Sequence, residues 1–218
     1  NILYHSPPVR YLFHTSVHCL RRALRGSTSV LDLGCGPDSP LRFVPNVVRS
    51  VGVECFVPYF EEARRRQTHS ELLLADLTTV TFASKSFDAV ILLGVLEHLD
   101  QAQGEILLRK AEEWARRTVV VSCPNGYLPQ GPTDGNPYQV HRSGWTAAGM
   151  AERGFRVFGL TGWRRLRTEN TSESLQDRWA LLGTIRYRPR LLWLVISELT
   201  QLVTYYRPRH AFEIFCVK

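Results

Sequence analysis

Lysine is nearly absent from this chain: only Lys85, Lys110 and Lys218 occur among 27 cationic residues, and the rest are arginines. The formal charge of +7 invites a nucleic-acid reading. The arginines are dispersed, however, and clusters such as Arg21, Arg22 and Arg25, or Arg64 to Arg66, fall near helix ends, where the macrodipole favours them without a partner. No basic stripe interleaved with aromatics stands out, so nucleic acid is not the expected partner. The five cysteines, Cys19, Cys35, Cys55, Cys123 and Cys216, contain no C-x-x-C. Their odd number and scatter argue against a disulfide framework and a zinc site, and they read as reduced core residues. His14 and His18 are four apart but lack a third ligand nearby, so no metal is expected. No apolar run approaches the roughly 20 residues that span a bilayer; the longest is Leu191 to Ile196, and no segment of the sequence reads as a secretory signal. A cytoplasmic location is the expectation. No linker or low-complexity spacer divides the 218 residues, which predicts a single domain over 1–218 with a helical cap at 1–26. The chain opens on Asn1 rather than methionine, which leaves room for residues before it.

What is present is concentrated in Val30-Leu31-Asp32-Leu33-Gly34-Cys35-Gly36-Pro37, an apolar strand with an acid near its end and two glycines just beyond. A backbone turning sharply at a strand tip needs positive φ or close ligand approach, so a bulky residue at Gly34 or Gly36 should abolish binding there. The dinucleotide fingerprint G-x-G-x-x-G is missing, because Ser39 stands at its sixth position. Val51-Gly52-Val53-Glu54 then places a carboxylate where a parallel α/β unit presents an acid to ribose hydroxyls. Glu71 to Asp76 repeats the pattern. Asp32, Glu54 and Asp76 are thus expected on one rim.

These motifs, from about Ser27 to about Leu166 and again near Ala211 to Val217, resemble a class I, Rossmann-type S-adenosylmethionine-dependent methyltransferase of the type-11, ubiquinone-biosynthesis-like branch. The resemblance implies S-adenosylmethionine as cofactor and S-adenosylhomocysteine as product. It assigns Asp32, Gly34, Cys35 and Gly36 to the methionine moiety, Glu54 to the ribose, and Asp76 with Leu77 to the adenine. Gly94-Val95-Leu96-Glu97-His98-Leu99, after a strand at Phe87 to Leu93, matches the segment that closes over the cofactor, adding Gly94 and Glu97 to the binding set. Asp38 departs from the pattern, since many members carry a third glycine there. The implied fold is α/β: a doubly wound, mostly parallel seven-stranded sheet with an antiparallel edge strand and helices on both faces.

Periodicity agrees with that fold. Apolar runs at Ser29 to Leu33, Ser50 to Glu54, Leu72 to Ala75, Phe87 to Leu93 and Thr118 to Ser122 alternate with helical patterns at Pro8 to Arg25, Tyr59 to Thr68 and Gln103 to Arg117. Pro124 to Gln139 reads as a long functional loop at the carboxyl rim. A helix then precedes Gly154, and Phe155 to Leu160 reads as a strand. Arg164 to Arg209 would form an insertion before the last strand. It contains a polar, mobile stretch from Thr168 to Asp177 and an apolar helix at 191–206. That helix has two readings: packing on the domain edge or a dimer interface, or peripheral membrane contact through 188–209, with Arg188, Arg190, Arg207 and Arg209 facing anionic head groups.

Methyl transfer from a sulfonium requires alignment and, for a hydroxyl acceptor, a base. Histidine suits neutral pH; His141, after the rim loop, is the preferred base, while His98 is either a second candidate or a packing and capping residue. Tyr127, Tyr138 and Trp145 are expected to line the acceptor pocket, with Asp134 and Arg142 at its rim. Asn136-Pro137-Tyr138 resembles the motif of base-amine methyltransferases, but it lacks the second proline and does not follow the fourth strand, so that class is rejected. The expected activity is methyl transfer to a small-molecule or lipid-linked acceptor at oxygen. The alternatives are an RNA or protein methyltransferase and a non-catalytic, cofactor-binding partner subunit.

Overall fold

The centre of the molecule is β1 (Ser29–Leu33), whose Val30, Leu31 and Leu33 are fully enclosed, as a parallel strand covered on both faces must be. The computed structural model describes residues 14–168 and 180–218. The start of the expected cap helix and the polar stretch beyond Thr168 therefore lie outside the described residues. The strands β2 (Arg49–Glu54), β3 (Glu71–Leu74), β4 (Phe87–Leu93), β5 (Ala115–Pro124), β6 (Arg156–Trp163) and β7 (Ala211–Val217) join β1 in one sheet of order β3-β2-β1-β4-β5-β7-β6. All neighbouring pairs are parallel except those made by β7, which runs antiparallel between β5 and β6. The strand order reverses between β1 and β4, and in open α/β sheets that switch point opens a crevice at the carboxyl ends.

Alternating side chains divide the core between two faces. Leu31, Leu33, Val90 and Leu92 meet α3 (Gln101–Trp114) and α4 (Ala147–Glu152) through Leu107, Leu108, Ala111 and Met150. Val30, Ala89 and Ile91 meet Leu20 and Leu24 from α1 (Ser16–Ala23) and its C-cap, together with Phe215 and Tyr205. A further helix, α2 (Val57–Arg66), follows β2. Several expected boundaries move, two of them at the far side of the sheet. The helix expected to reach Arg117 stops at Trp114, because Ala115 pairs with Phe87 and opens β5. The strand expected to end at Leu160 runs to Trp163 past a register shift.

Asp88 fastens the amino end of this sheet. Its Oδ2 accepts the Thr28 amide (2.9 Å), the Thr28 hydroxyl (2.9 Å) and the Ser29 amide (3.1 Å). The Thr28 amide above all holds its carboxyl well below the usual carboxylate range. A depressed carboxylate contributes stability above its unfolded pKa, near 4, and loses it as pH falls further. Asp88→Ala is expected to cost about 1–3 kcal/mol at neutral pH and to flatten the acid limb of a stability-versus-pH curve below about pH 4. An unchanged acid limb in urea titrations would sink this assignment.

Between β6 and β7 lie α5 (Ala180–Gly183) and α6 (Arg190–Thr204). The expected apolar helix is there, and it is turned inside out. Ser197, Gln201 and Thr204 are buried, while Leu191 (64% exposed), Val195, Leu199, Val203 (60%) and Tyr206 (72%) form an outward stripe. The reason is the irregular end of β6. Thr161 donates its amide to Gln201 Oε1 (3.0 Å) and Trp163 to Thr200 Oγ1 (2.8 Å), so the helix's polar face supplies the missing backbone partners. Gly162 permits this approach: a Cβ there would stand 1.9 Å from the Ser197 carbonyl oxygen. Among the described residues no helix is long and apolar enough to cross a membrane.

Candidate active site

A cleft of about 960 Å³ opens at the carboxyl ends of β1, β2 and β4, and Gly34, Cys35, Gly36, Glu54, Asp76, Leu77, Gly94 and Glu97 all line it. Gly34 (φ +68°) donates its amide to Val53 O (2.8 Å), and Gly36 (φ +60°) donates to Glu54 Oε2 (3.0 Å). A Cβ on Gly36 would meet nothing within 4 Å. The turn presents bare backbone to open space, as close ligand approach requires.

Glu54 holds backbone as well as facing the cleft. Its Oε1 accepts the amides of Cys55 (2.9 Å) and Phe56 (2.8 Å), in addition to the Gly36 amide on Oε2. A carboxylate offers about four acceptor sites; three hold the loop and the start of α2, and the Cys55 thiol also bonds this carboxylate. Burial pushes its pKa up against the pull of those amides. Asp76 accepts the Thr78 amide and hydroxyl, both at 2.8 Å, which sets the turn beyond β3. Burial also pushes the Cys35 thiol far up, making it an inert wall of the cleft.

Asp32 corrects the expectation of three acids on one rim. It lies level with Gly52, two residues short of Glu54, and does not line the cleft. Its carboxylate, 2% exposed, accepts the Ser39 hydroxyl and lies 3.1 Å from His69 Nε2. It positions the glycine loop from beneath. His69, unremarked in the sequence, is its partner because β3 begins beside β2.

At the other end of the cleft, His98 and His141 meet with ring centroids 4.8 Å apart, and Glu97 stands beside them. The backbone locks this meeting: Arg142 and Ser143 donate their amides to Glu97 O at 2.7 and 3.1 Å. His141 Nδ1 lies 2.6 Å from Leu128 O, and His98 Nδ1 lies 3.4 Å from Val140 O. A carbonyl only accepts, so the short His141 contact puts that ring's proton on Nδ1 and leaves its Nε2 lone pair available, while His98 faces the carbonyls of both Val140 and Gln139. Burial lowers both pKa values, that of His98 to about 4 with help from His141. Burial drives Glu97 up to about 8, and its Oε2 has no partner.

The aromatic expectations divide. Tyr138 and Arg142 line the cleft. Tyr127 does not: it is exposed, and its hydroxyl reaches the His141 carbonyl. Trp145 does not either. It is buried against Gly104, where a Cβ would come within 2.4 Å of its ring, and its Nε1 donates to Ser143 Oγ. Trp145 packs the segment that carries His141. Asp134 stays outside the lining and accepts the Tyr59 hydroxyl at 2.8 Å, tying the rim loop to α2. The sequence reading missed Tyr59, Gln130, Thr184 and Glu213, which line the cleft from α2, the rim loop, the insertion and β7. Only the tertiary fold brings the last two there.

Residues 31–121 match the family model described as a methyltransferase domain. With the strand order and the glycine loop, this gives residues 31–121 the character of a methyltransferase domain on a class I, Rossmann-like sheet. It is 33% identical over 108 residues to (S)-coclaurine N-methyltransferase of Thalictrum flavum subsp. glaucum, a match covering 45% of this chain and 28% of that protein. It is 34% identical over 99 residues to the human probable tRNA methyltransferase 9B, covering 45% of this chain and 20% of the relative. The matched regions thus span less than a third of these curated relatives. A solved S-adenosylmethionine-dependent methyltransferase from Archaeoglobus fulgidus superposes with a TM-score of 0.53 at 17% identity, covering 94% of this chain and 95% of that one. At that identity the likeness concerns the fold.

Proposed function

We propose that this protein transfers the methyl group of S-adenosylmethionine to an oxygen of a small-molecule or lipid-linked acceptor. The observation that carries the reading is one continuous cleft with the glycine loop, Glu54 and Asp76 at one end and His98, His141 and Glu97 at the other. Its volume is at the upper end for ligand pockets, which suits a cofactor together with a small acceptor. The cofactor supplies an electrophilic methyl on a sulfonium. In the reaction the acceptor oxygen forms a bond to that methyl carbon as the carbon–sulfur bond breaks, leaving S-adenosylhomocysteine. His141, its pKa lowered by burial and its Nε2 unencumbered, receives the hydroxyl proton when no metal ion is bound. Tyr138 and Arg142 bound the acceptor's entrance.

His141→Ala is expected to leave S-adenosylhomocysteine binding within about twofold and to cut transfer about 10²- to 10⁴-fold, the usual worth of a positioned base. Full transfer by this variant, in a labelled-methyl assay on an identified acceptor, would remove His141 from the chemistry. An RNA acceptor would instead announce itself by a steep salt dependence of acceptor binding.

The lipid-linked form of the reading is favoured by α6. Its apolar stripe faces outward, exposed Arg186, Arg188, Arg190, Arg207 and Arg209 flank it, and Thr184 of the same segment lines the cleft. Each arginine near an anionic surface contributes about 1 kcal/mol. The protein is expected to co-sediment with phosphatidylglycerol vesicles at low salt, and Leu199→Glu with Val203→Glu should abolish this without changing cofactor binding. Wild-type protein that stays in the supernatant would return α6 to a purely structural role.

A further inference from the structure

We propose that Glu97, His98 and His141 form a binding site for a divalent transition-metal ion at the acceptor end of the cleft. One donor atom from each lies within 4.8 Å of the other two. Metal–ligand bonds of 2.0–2.2 Å place tetrahedral ligands about 3.4 Å apart, so side-chain shifts of about an ångström complete the sphere. The donor set of two imidazoles and one carboxylate is one that holds catalytic metals while leaving a coordination position open. Imidazole donors select a transition ion over magnesium or calcium, which favour all-oxygen cages.

Three independent observations support the site. Glu97 Oε2 is the one carboxylate oxygen among the buried polar atoms that lack a partner in the described residues; the other three are hydroxyls. A buried carboxyl oxygen without a partner is costly, and a bound cation would give it one. The short Nδ1 contact of His141 with the Leu128 carbonyl orients that ring with Nε2 free, as metal-ligating histidines are usually held by outer partners. The amides of Arg142 and Ser143 on Glu97 O clamp the two ligand-bearing segments together before any ion arrives.

The site itself stands on this geometry; only its role in the chemistry rests on methyl transfer to oxygen. With the ion in place the His141 Nε2 lone pair is coordinated. The acceptor hydroxyl then binds at the open position, the ion lowers its pKa, and the proton passes to solvent rather than to His141.

Chelator-treated protein would be titrated calorimetrically with zinc chloride, and separately with cobalt(II) followed by visible absorption. The expected result is one ion per chain, a new cobalt ligand-field band, and at least a tenfold loss of affinity in each of Glu97→Gln, His98→Ala and His141→Ala. Retained S-adenosylhomocysteine binding shows that a variant is folded. His18→Ala, which breaks the His14/His18 pair at the surface, should leave the stoichiometry at one. No zinc binding by wild type, or unchanged binding in all three variants, overturns the site. Zinc binding without transfer to any acceptor leaves the site standing and sinks the proposed activity. Full transfer by chelated protein that binds no zinc does the reverse.

Discussion

Glu54→Ala is expected to weaken S-adenosylhomocysteine binding about ten- to hundredfold, and to lower the melting temperature with it. The carboxylate accepts three backbone amides, from Gly36, Cys55 and Phe56. Bonds to a charged acceptor are worth about 1.5–3 kcal/mol each, and water at the cleft surface recovers part of that. Truncation therefore unties the glycine loop from β2 and removes an acidic acceptor from the cleft wall. Glu54→Gln separates the two effects. Its amide oxygen still accepts on one side, but its NH2 group opposes an amide donor on the other, so it should recover part of the melting temperature and little of the affinity. Calorimetric titration of both variants decides, and wild-type affinity in Glu54→Ala would take this residue out of the cofactor site.

Arg167→Ala is expected to be the most destabilising single change in the insertion, at about 3–5 kcal/mol, which for a chain of this size lowers the melting temperature by about 6–20 °C. Arg167 is 2% exposed. Its guanidinium donates to Thr161 O (2.6 Å), Ser197 Oγ (3.0 Å), Thr184 Oγ1 (2.7 Å) and Glu198 Oε1 (2.7 Å), joining β6, the turn after α5, and α6. Arg167→Lys should rescue little, because an ammonium cannot reproduce the planar fork. Cofactor binding below the transition should persist, since the glycine loop and Glu54 lie on the far strands. A thermal scan within 2 °C of wild type would show that α6 is held without this guanidinium.

Arg167 also shows where sequence reasoning stopped. It stands beside Arg164 and Arg165 and reads as one more surface cation, and nothing in its neighbours marks it as enclosed. Asp32 presents the same limit. Its residue type and strand-end position are those of a cofactor acid, yet the β1–β2 register sets it two residues inboard, under the loop. Trp145 reads as a pocket aromatic because it follows His141, but one residue of backbone direction turns it toward Gly104 and the core. By contrast, Gly34, Gly36, Glu54 and Asp76 were legible, because the end of an apolar strand and the turn after it are decided within a few residues. His98 and His141 were each legible as site histidines. Their meeting with Glu97 was not, since it depends on the Glu97 carbonyl binding amides more than forty positions away.

The sequence by itself determined the order of strands and helices, the glycine turn at the switch point and the strand-end positions of Glu54 and Asp76, because periodicity and backbone conformation act over short ranges. The tertiary structure alone decided which acid faces the cleft, which histidines share a cluster and which side of α6 meets the protein. Burial and hydrogen-bond satisfaction are collective. The apolar stripe of α6 would have turned inward had β6 not needed its polar face to complete the Thr161 and Trp163 amides.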